Sequence, residues 1–108
     1  MLNDLHKHIC VSCEDSRGHL MADEVKELWR QVPDWSWENH HHLAREFKFK
    51  NFAEALAFVN KVGEIAEKEG HHPDIKFGWG YVTINLFTHA VDGLTENDFI
   101  LAAKIDRL

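Results

Sequence analysis

At 108 residues the chain has room for one domain with a real core, and not for two. A formal net charge of −6 with no basic cluster argues against a nucleic-acid surface, and no apolar run approaches membrane-spanning length. The N-terminus, MLNDLHKHICVSC, lacks the apolar centre of a signal peptide, so a cytoplasmic protein is expected.

Residues 1–20 have weak periodicity and are expected to form an irregular N-terminal arm, with 21–108 as the single folded domain. Cys10 and Cys13 have the spacing of half a zinc site, with His6, His8 and His19 nearby. A structural zinc site wants four nitrogen or sulfur ligands, and no second CxxC exists. A redox CxxC opens a helix after a strand, and neither flank fits. Two free thiols on a loosely attached arm, in a reducing compartment, are the plain expectation. Metal binding and redox exchange are the alternatives.

From Ala22 to Val32 the apolar residues Val25, Leu28, Trp29 and Val32 fall at helical spacing. Asp23 and Glu24 suit the start of that helix, Arg30 suits its end, and Pro33 stops it. Trp35 and Trp37 follow at strand spacing. The run His40-His41-His42 cannot point one way and reads as an exposed hairpin loop, with adventitious metal binding as the sharper alternative. Leu43, Arg45, Phe47 and Phe49 then alternate with Ala44, Glu46, Lys48 and Lys50, which predicts a strand with one mostly apolar and one charged face.

Asn51 with Glu54 makes a capping-box pattern, so a helix is predicted from about Phe52 to Glu69, stopped by Gly70. Its stripe Phe52, Ala55, Leu56, Val59, Val62, Gly63 and Ala66 is expected to face the sheet. Phe58 and Ile65 lie off that stripe, either as a wide buried face or as a contact between subunits. Pro73 bars continuation of the helix and pushes His72 towards an extended conformation.

Ile75, Phe77 and Trp79 alternate on one parity, and Val82, Ile84 and Leu86 on the other. That flip predicts a hairpin with a primed two-residue turn at Gly80-Tyr81, pairing Trp79 with Val82, Phe77 with Ile84 and Ile75 with Leu86. The same register places His72 opposite His89. Val91-Asp92-Gly93 reads as a turn, and Thr95 with Asp98 has capping-box spacing, so a last helix starts near Glu96 and buries some of Phe99, Ile100, Ala103 and Ile105. The order helix–strand–strand–helix–strand–strand–helix predicts an α+β two-layer sandwich, a four-stranded antiparallel sheet with helices on one face. The other face is left open for a ligand or partner.

Of the nine histidines, His71, His72 and His89 fall at the entrance and exit of the second hairpin, with Glu67 one turn before the pair and Asp98 at the next helix start. Imidazole gives and takes protons near neutral pH, and a carboxylate beside it sets its tautomer. Zinc or iron binding is the rival chemistry. Adjacent histidines on an extended chain point apart, so His71 and His72 rarely chelate one metal together. The bland alternative is three incidental polar residues.

The stretch EKEGHHPDIKFGWGYVTINLFTHAVDGLTENDF resembles the signature of the pterin-4a-carbinolamine dehydratases. The resemblance rests on Glu67-Lys68, His71-His72-Pro73, a short hairpin, Thr88-His89, Gly93-Leu94-Thr95 and Asp98. Upstream, Pro33-Asp34-Trp35 and Phe47-Lys48-Phe49-Lys50-Asn51-Phe52 fit as well, so it covers roughly residues 20–108. A cysteine-bearing arm resembles some bacterial members. Ile75 stands where an aromatic residue is common, Gly80 where Asn is frequent, and Met21 where the first helix usually has a Ser or Thr cap.

The resemblance implies dehydration of a 4a-hydroxytetrahydropterin to the quinonoid dihydropterin, in the recycling of tetrahydrobiopterin for aromatic amino acid hydroxylation. It implies His71 and His89 as an acid/base pair and His72 as a binding and orienting residue. Glu67 and Asp98 would hold the imidazoles or contact the pterin, with Pro73 and Thr88 beside them. It implies no cofactor, no metal and a homodimer or homotetramer, which favours the subunit-contact reading of Phe58 and Ile65. Its alternative is a protein-interaction module, since animal relatives serve as dimerisation cofactors of a homeodomain transcription factor. A metal-binding domain built on the N-terminal Cys and His residues is the third reading.

Overall fold

The computed structural model describes residues 3–10 and 18–108, so Cys13 and the completeness of the CxxC lie outside the described residues. Among the described residues three helices and four strands follow in the order α1 (Ala22–Trp29), β1 (Ser36–Glu38), β2 (His42–Lys48), α2 (Phe52–Glu69), β3 (Asp74–Gly78), β4 (Tyr81–Leu86) and α3 (Glu96–Ile105). Single 3₁₀ turns cover Leu5–Lys7 and His89–Val91. The sheet is wholly antiparallel in the order β1-β2-β4-β3, so the two hairpins join through β2 and β4. The fold is the expected α+β sandwich. Leu43, Val82, Ile84 and Leu86 point into the helical layer and are buried, while Thr83 and Asn85 on the other parity are half-exposed.

The second hairpin has the expected parity but a register shifted by two. Ile75 pairs with Ile84 and Phe77 with Val82, so the turn is Trp79-Gly80 and not Gly80-Tyr81. Gly80 takes φ 82° at the second central position while Trp79 keeps negative φ, a type II pattern instead of a primed one. Tyr81 is thereby freed for the strand, where its ring packs beside Gly78. The ladder ends at Asp74 and Asn85, so His72 is not paired with His89. In the first hairpin Asn39 and His40 both have positive φ, and the His41 N–H bonds the Glu38 carbonyl at 2.9 Å, which is a primed turn. His42 already belongs to β2.

The first helix ends at Trp29, earlier than Val32, and continues as tight turns in which the Val32 N–H bonds Trp29 O at 3.0 Å. Met21 offers no side-chain cap, but Glu24 reaches back to accept the Met21 N–H at 3.1 Å. The α2 stripe also differs from expectation. Its buried line is Ala55, Val62 and Ala66, and Phe58 packs on Phe47 and Phe49, with ring centroids 4.7 and 5.1 Å away. Small residues at the centre of the line let the helix sit close to the sheet, which turns Phe58 inward. Phe52 and Leu56 are left exposed. The arm is not loose throughout: Leu5 is buried in the core, and the Cys10 N–H bonds Glu69 Oε1 at 2.8 Å.

Candidate active site

The end of α2 places the first histidine. Gly70 takes φ 67°, its N–H bonds Glu67 O at 3.3 Å, and the His71 N–H bonds Ala66 O at 3.2 Å. These two bonds form a Schellman motif, which closes the helix and turns the chain inward at its second non-helical residue. His71 is therefore buried, with 6% of its surface exposed, although it immediately follows a surface helix.

Inside, His71 Nε2 lies 2.6 Å from Asp98 Oδ1, and Asp98 is fully buried in the first turn of α3. The other oxygen, Asp98 Oδ2, accepts the Thr88 hydroxyl at 2.8 Å and the Thr95 N–H at 2.9 Å. Thr95 does not cap with its own side chain, because its hydroxyl faces that of Thr88 at 2.8 Å. One carboxylate thus ties together the exit of α2, the exit of β4 and the start of α3. A carboxylate accepts, so Nε2 of His71 carries the hydrogen and Nδ1 is left to exchange a proton. Among the described residues Nδ1 makes no hydrogen bond.

His72 points the other way, as adjacent residues on extended chain must, and pairs with Glu67 at the surface. Pro73 is half-buried between it and β3. His89 follows Thr88 directly, begins the 3₁₀ turn and is exposed. It has no carboxylate partner among the described residues, and its ring packs on Phe87 with centroids 4.1 Å apart. The structure therefore joins His71, Asp98 and Thr88 in one hydrogen-bonded unit and sets His89 one peptide bond away. The three imidazoles do not touch one another, and among the described residues no three His, Cys, Asp or Glu side chains are arranged to hold a metal ion. A cavity of about 240 Å³ between the ends of α2 and α3 is lined by His6, Ile65, Lys68, Glu69, Lys104 and Arg107, and none of these three histidines borders it.

Sequence reasoning placed His41 in an exposed loop and Asp92 in a turn, and did not foresee that Phe87 brings them together. His41 packs on Phe87 with centroids 4.6 Å apart, and its Nε2 lies 2.8 Å from Asp92 Oδ1. The available signal was parity: Phe87, just past β4, continues the outward parity of Thr83 and Asn85, and extending the β2–β4 register brings His42 beside it.

A four-stranded antiparallel sheet with helices on one face belongs to a class already seen in solved structures. A Brucella melitensis protein described as a transcriptional coactivator/pterin dehydratase is 32% identical and superposes with a TM-score of 0.77, over 82% of this chain and 96% of that one. A pterin dehydratase-like protein identified as a RuBisCO assembly factor in the α-carboxysome is 29% identical, with a TM-score of 0.58 over 68% of this chain and 87% of that one. The profile of the family described as pterin 4 alpha carbinolamine dehydratase matches residues 18–108. Proteins provisionally named pterin-4-alpha-carbinolamine dehydratase from Rubrobacter xylanophilus and Alkaliphilus metalliredigens are 52% and 50% identical, over 99% and 98% of this chain and 100% and 96% of theirs. The chain belongs to the pterin-4-alpha-carbinolamine dehydratase family.

Proposed function

We propose that the chain dehydrates a 4a-hydroxytetrahydropterin to the quinonoid dihydropterin by histidine acid/base catalysis, in the recycling of a tetrahydropterin used for aromatic hydroxylation. The observation that carries this reading is the buried His71–Asp98–Thr88 unit running up to His89. In the reaction the C4a–O bond breaks, a general acid protonates the departing hydroxyl, and a base takes the N5 hydrogen as the N5=C4a bond forms. The proton lost from N5 balances the one delivered to oxygen, so only water leaves. Positioned imidazoles supply factors of about 10²–10⁴ for such transfers, and the step draws on no redox cofactor or covalent nucleophile. His71 and His89 are the acid/base pair. His72, held by Glu67, binds and orients the pterin, with Pro73 fixing its backbone.

Replacing both His71 and His89 by Ala tests the assignment. Dehydration of enzymatically generated carbinolamine should collapse while the oligomer size is unchanged. Surviving turnover would sink it. The reading includes a cytoplasmic homo-oligomer of 21–108 domains, each with its arm docked at Leu5. On α2 the exposed apolar residues are Phe52 and Leu56, while Phe58 and Ile65 pack partly buried against the core, so the subunit contact is assigned to the first pair. The same exposed residues favour the second reading, a protein-interaction module. Under that reading the double histidine variant would keep its binding partner, and a Leu56→Glu variant would lose it.

A further inference from the structure

Each of the three candidate catalytic imidazoles needs something to hold it. His71 has Asp98 and His72 has Glu67. The His89 ring has no hydrogen bond among the described residues, so ring packing must orient it. Its neighbour Phe87 packs on two imidazoles, that of His89 at 4.1 Å and that of His41 at 4.6 Å, both at an interplanar angle of 43°. His41 is itself pinned, because its Nε2 lies 2.8 Å from Asp92 Oδ1. Asp92 directly follows the 3₁₀ turn that His89 begins, and its N–H bonds the His89 carbonyl at 3.3 Å. The contacts form a closed circuit: His89, Phe87, His41, Asp92, and back through the turn to His89.

We propose that His41 and Asp92 are positioning residues for His89, bracing its ring through Phe87. This rests on the catalytic reading of His89 given above. The chemistry of the circuit fixes the tautomer of a neutral His41. The Asp92 carboxylate only accepts, so the hydrogen of a neutral His41 is on Nε2. Its Nδ1 then accepts from His42 Nδ1, 3.2 Å away. Asp92 occupies left-handed backbone at φ 49°, which aims its side chain back across the turn at His41 and which Asp tolerates better than most residues. A ring held by packing alone has both nitrogens available for exchange with a substrate, and its placement is only as firm as the ring behind it.

His41→Ala and Asp92→Gly test this. Glycine removes the carboxylate without straining the left-handed backbone. In the ligand-free protein the His89 ring protons carry the ring-current shift of Phe87, and both variants should move those NMR signals towards free-imidazole positions. Both should lower kcat about tenfold with KM nearly unchanged, a part of the about 10²–10⁴ available from acid/base catalysis. Asp92→Asn keeps an accepting oxygen and should restore both readouts. His40→Gly, on the same turn but packed against Trp37, suits the positive φ there; it is the control and should change neither. Unchanged His89 signals in His41→Ala and Asp92→Gly would overturn the proposal, whatever the rates did. If His89→Ala kept full turnover, the catalytic reading would fail instead, and the NMR arm would still decide whether His41 holds that ring.

Discussion

Asp98 is a carboxylate with no exposed surface, and such a group is tolerated only when its oxygens are supplied with donors. Here there are three: His71 Nε2, the Thr88 hydroxyl and the Thr95 N–H. Two substitutions separate what it does for the fold from what it does for His71. Asp98→Ala strands several buried donors, each costing about 1–3 kcal/mol. Urea unfolding should therefore show a loss of roughly 2–4 kcal/mol. Asp98→Asn keeps one oxygen for Thr88 and Thr95 and turns an NH₂ towards His71, which can accept it only by moving its own hydrogen to Nδ1. Stability should fall by only about 1 kcal/mol. Turnover should fall about a hundredfold or more, because the imidazole is then in the wrong tautomer, as in hydrolytic triads that lose the carboxylate behind histidine. A variant that keeps full activity would show that the tautomer does not matter.

At the scale of elements, the stop of α2 is what makes His71 available. Nothing lies within 4 Å of a Cβ added at Gly70, so the cost of Gly70→Ala is purely the left-handed backbone, about 1–2 kcal/mol. The same change should loosen both histidines and reduce turnover, while Gly70→Asn should be milder on both counts. Urea midpoints and rates on the pair would check it. This stop was legible in the sequence because it depends on local chemistry, as did the Asn51 cap, whose side chain accepts the Glu54 N–H at 2.9 Å. The hairpin parity was legible for the same reason. The register was not, because Gly80 is compatible with either turn. What decides is the seating of the turn on the end of β2, where the Phe49 N–H bonds Gly80 O at 2.8 Å, and that is a tertiary matter. The face of α2 was misjudged on similar grounds. Period alone puts Phe52 on the expected stripe and Phe58 off it, and the close approach along Ala55, Val62 and Ala66 reverses that choice.

Across the whole molecule, the contacts hardest to foresee join residues far apart in sequence. His41 and Asp92 are 51 positions apart, and Cys10 and Glu69 are 59 apart. No period or motif connects either pair, so the candidate catalytic residues were legible and the residues bracing them were not. Glu69 shows how such a contact governs stability. Its carboxylate accepts the Cys10 N–H at 2.8 Å and Lys104 Nζ at 3.0 Å, joining the arm, α2 and α3. Burial pushes its pKa up, but the Cys10 N–H and the Lys104 ammonium outweigh burial and hold it below the ordinary 4.5. A carboxyl depressed in the folded state stabilises the fold at pH values above its unfolded pKa, and that contribution is lost as pH falls through the folded value. Glu69→Gln keeps an acceptor for Cys10 but removes the charge facing Lys104. It should cost about 1.5–3 kcal/mol near neutral pH, the range for hydrogen bonds to charged groups. The gap between variant and native protein should then close as the pH drops well below 4.5, where the native carboxyl takes up its proton. Urea unfolding of both proteins across that range measures the gap directly, and a gap that stays constant with pH would mean that the Glu69 charge does not hold the arm to the two helices.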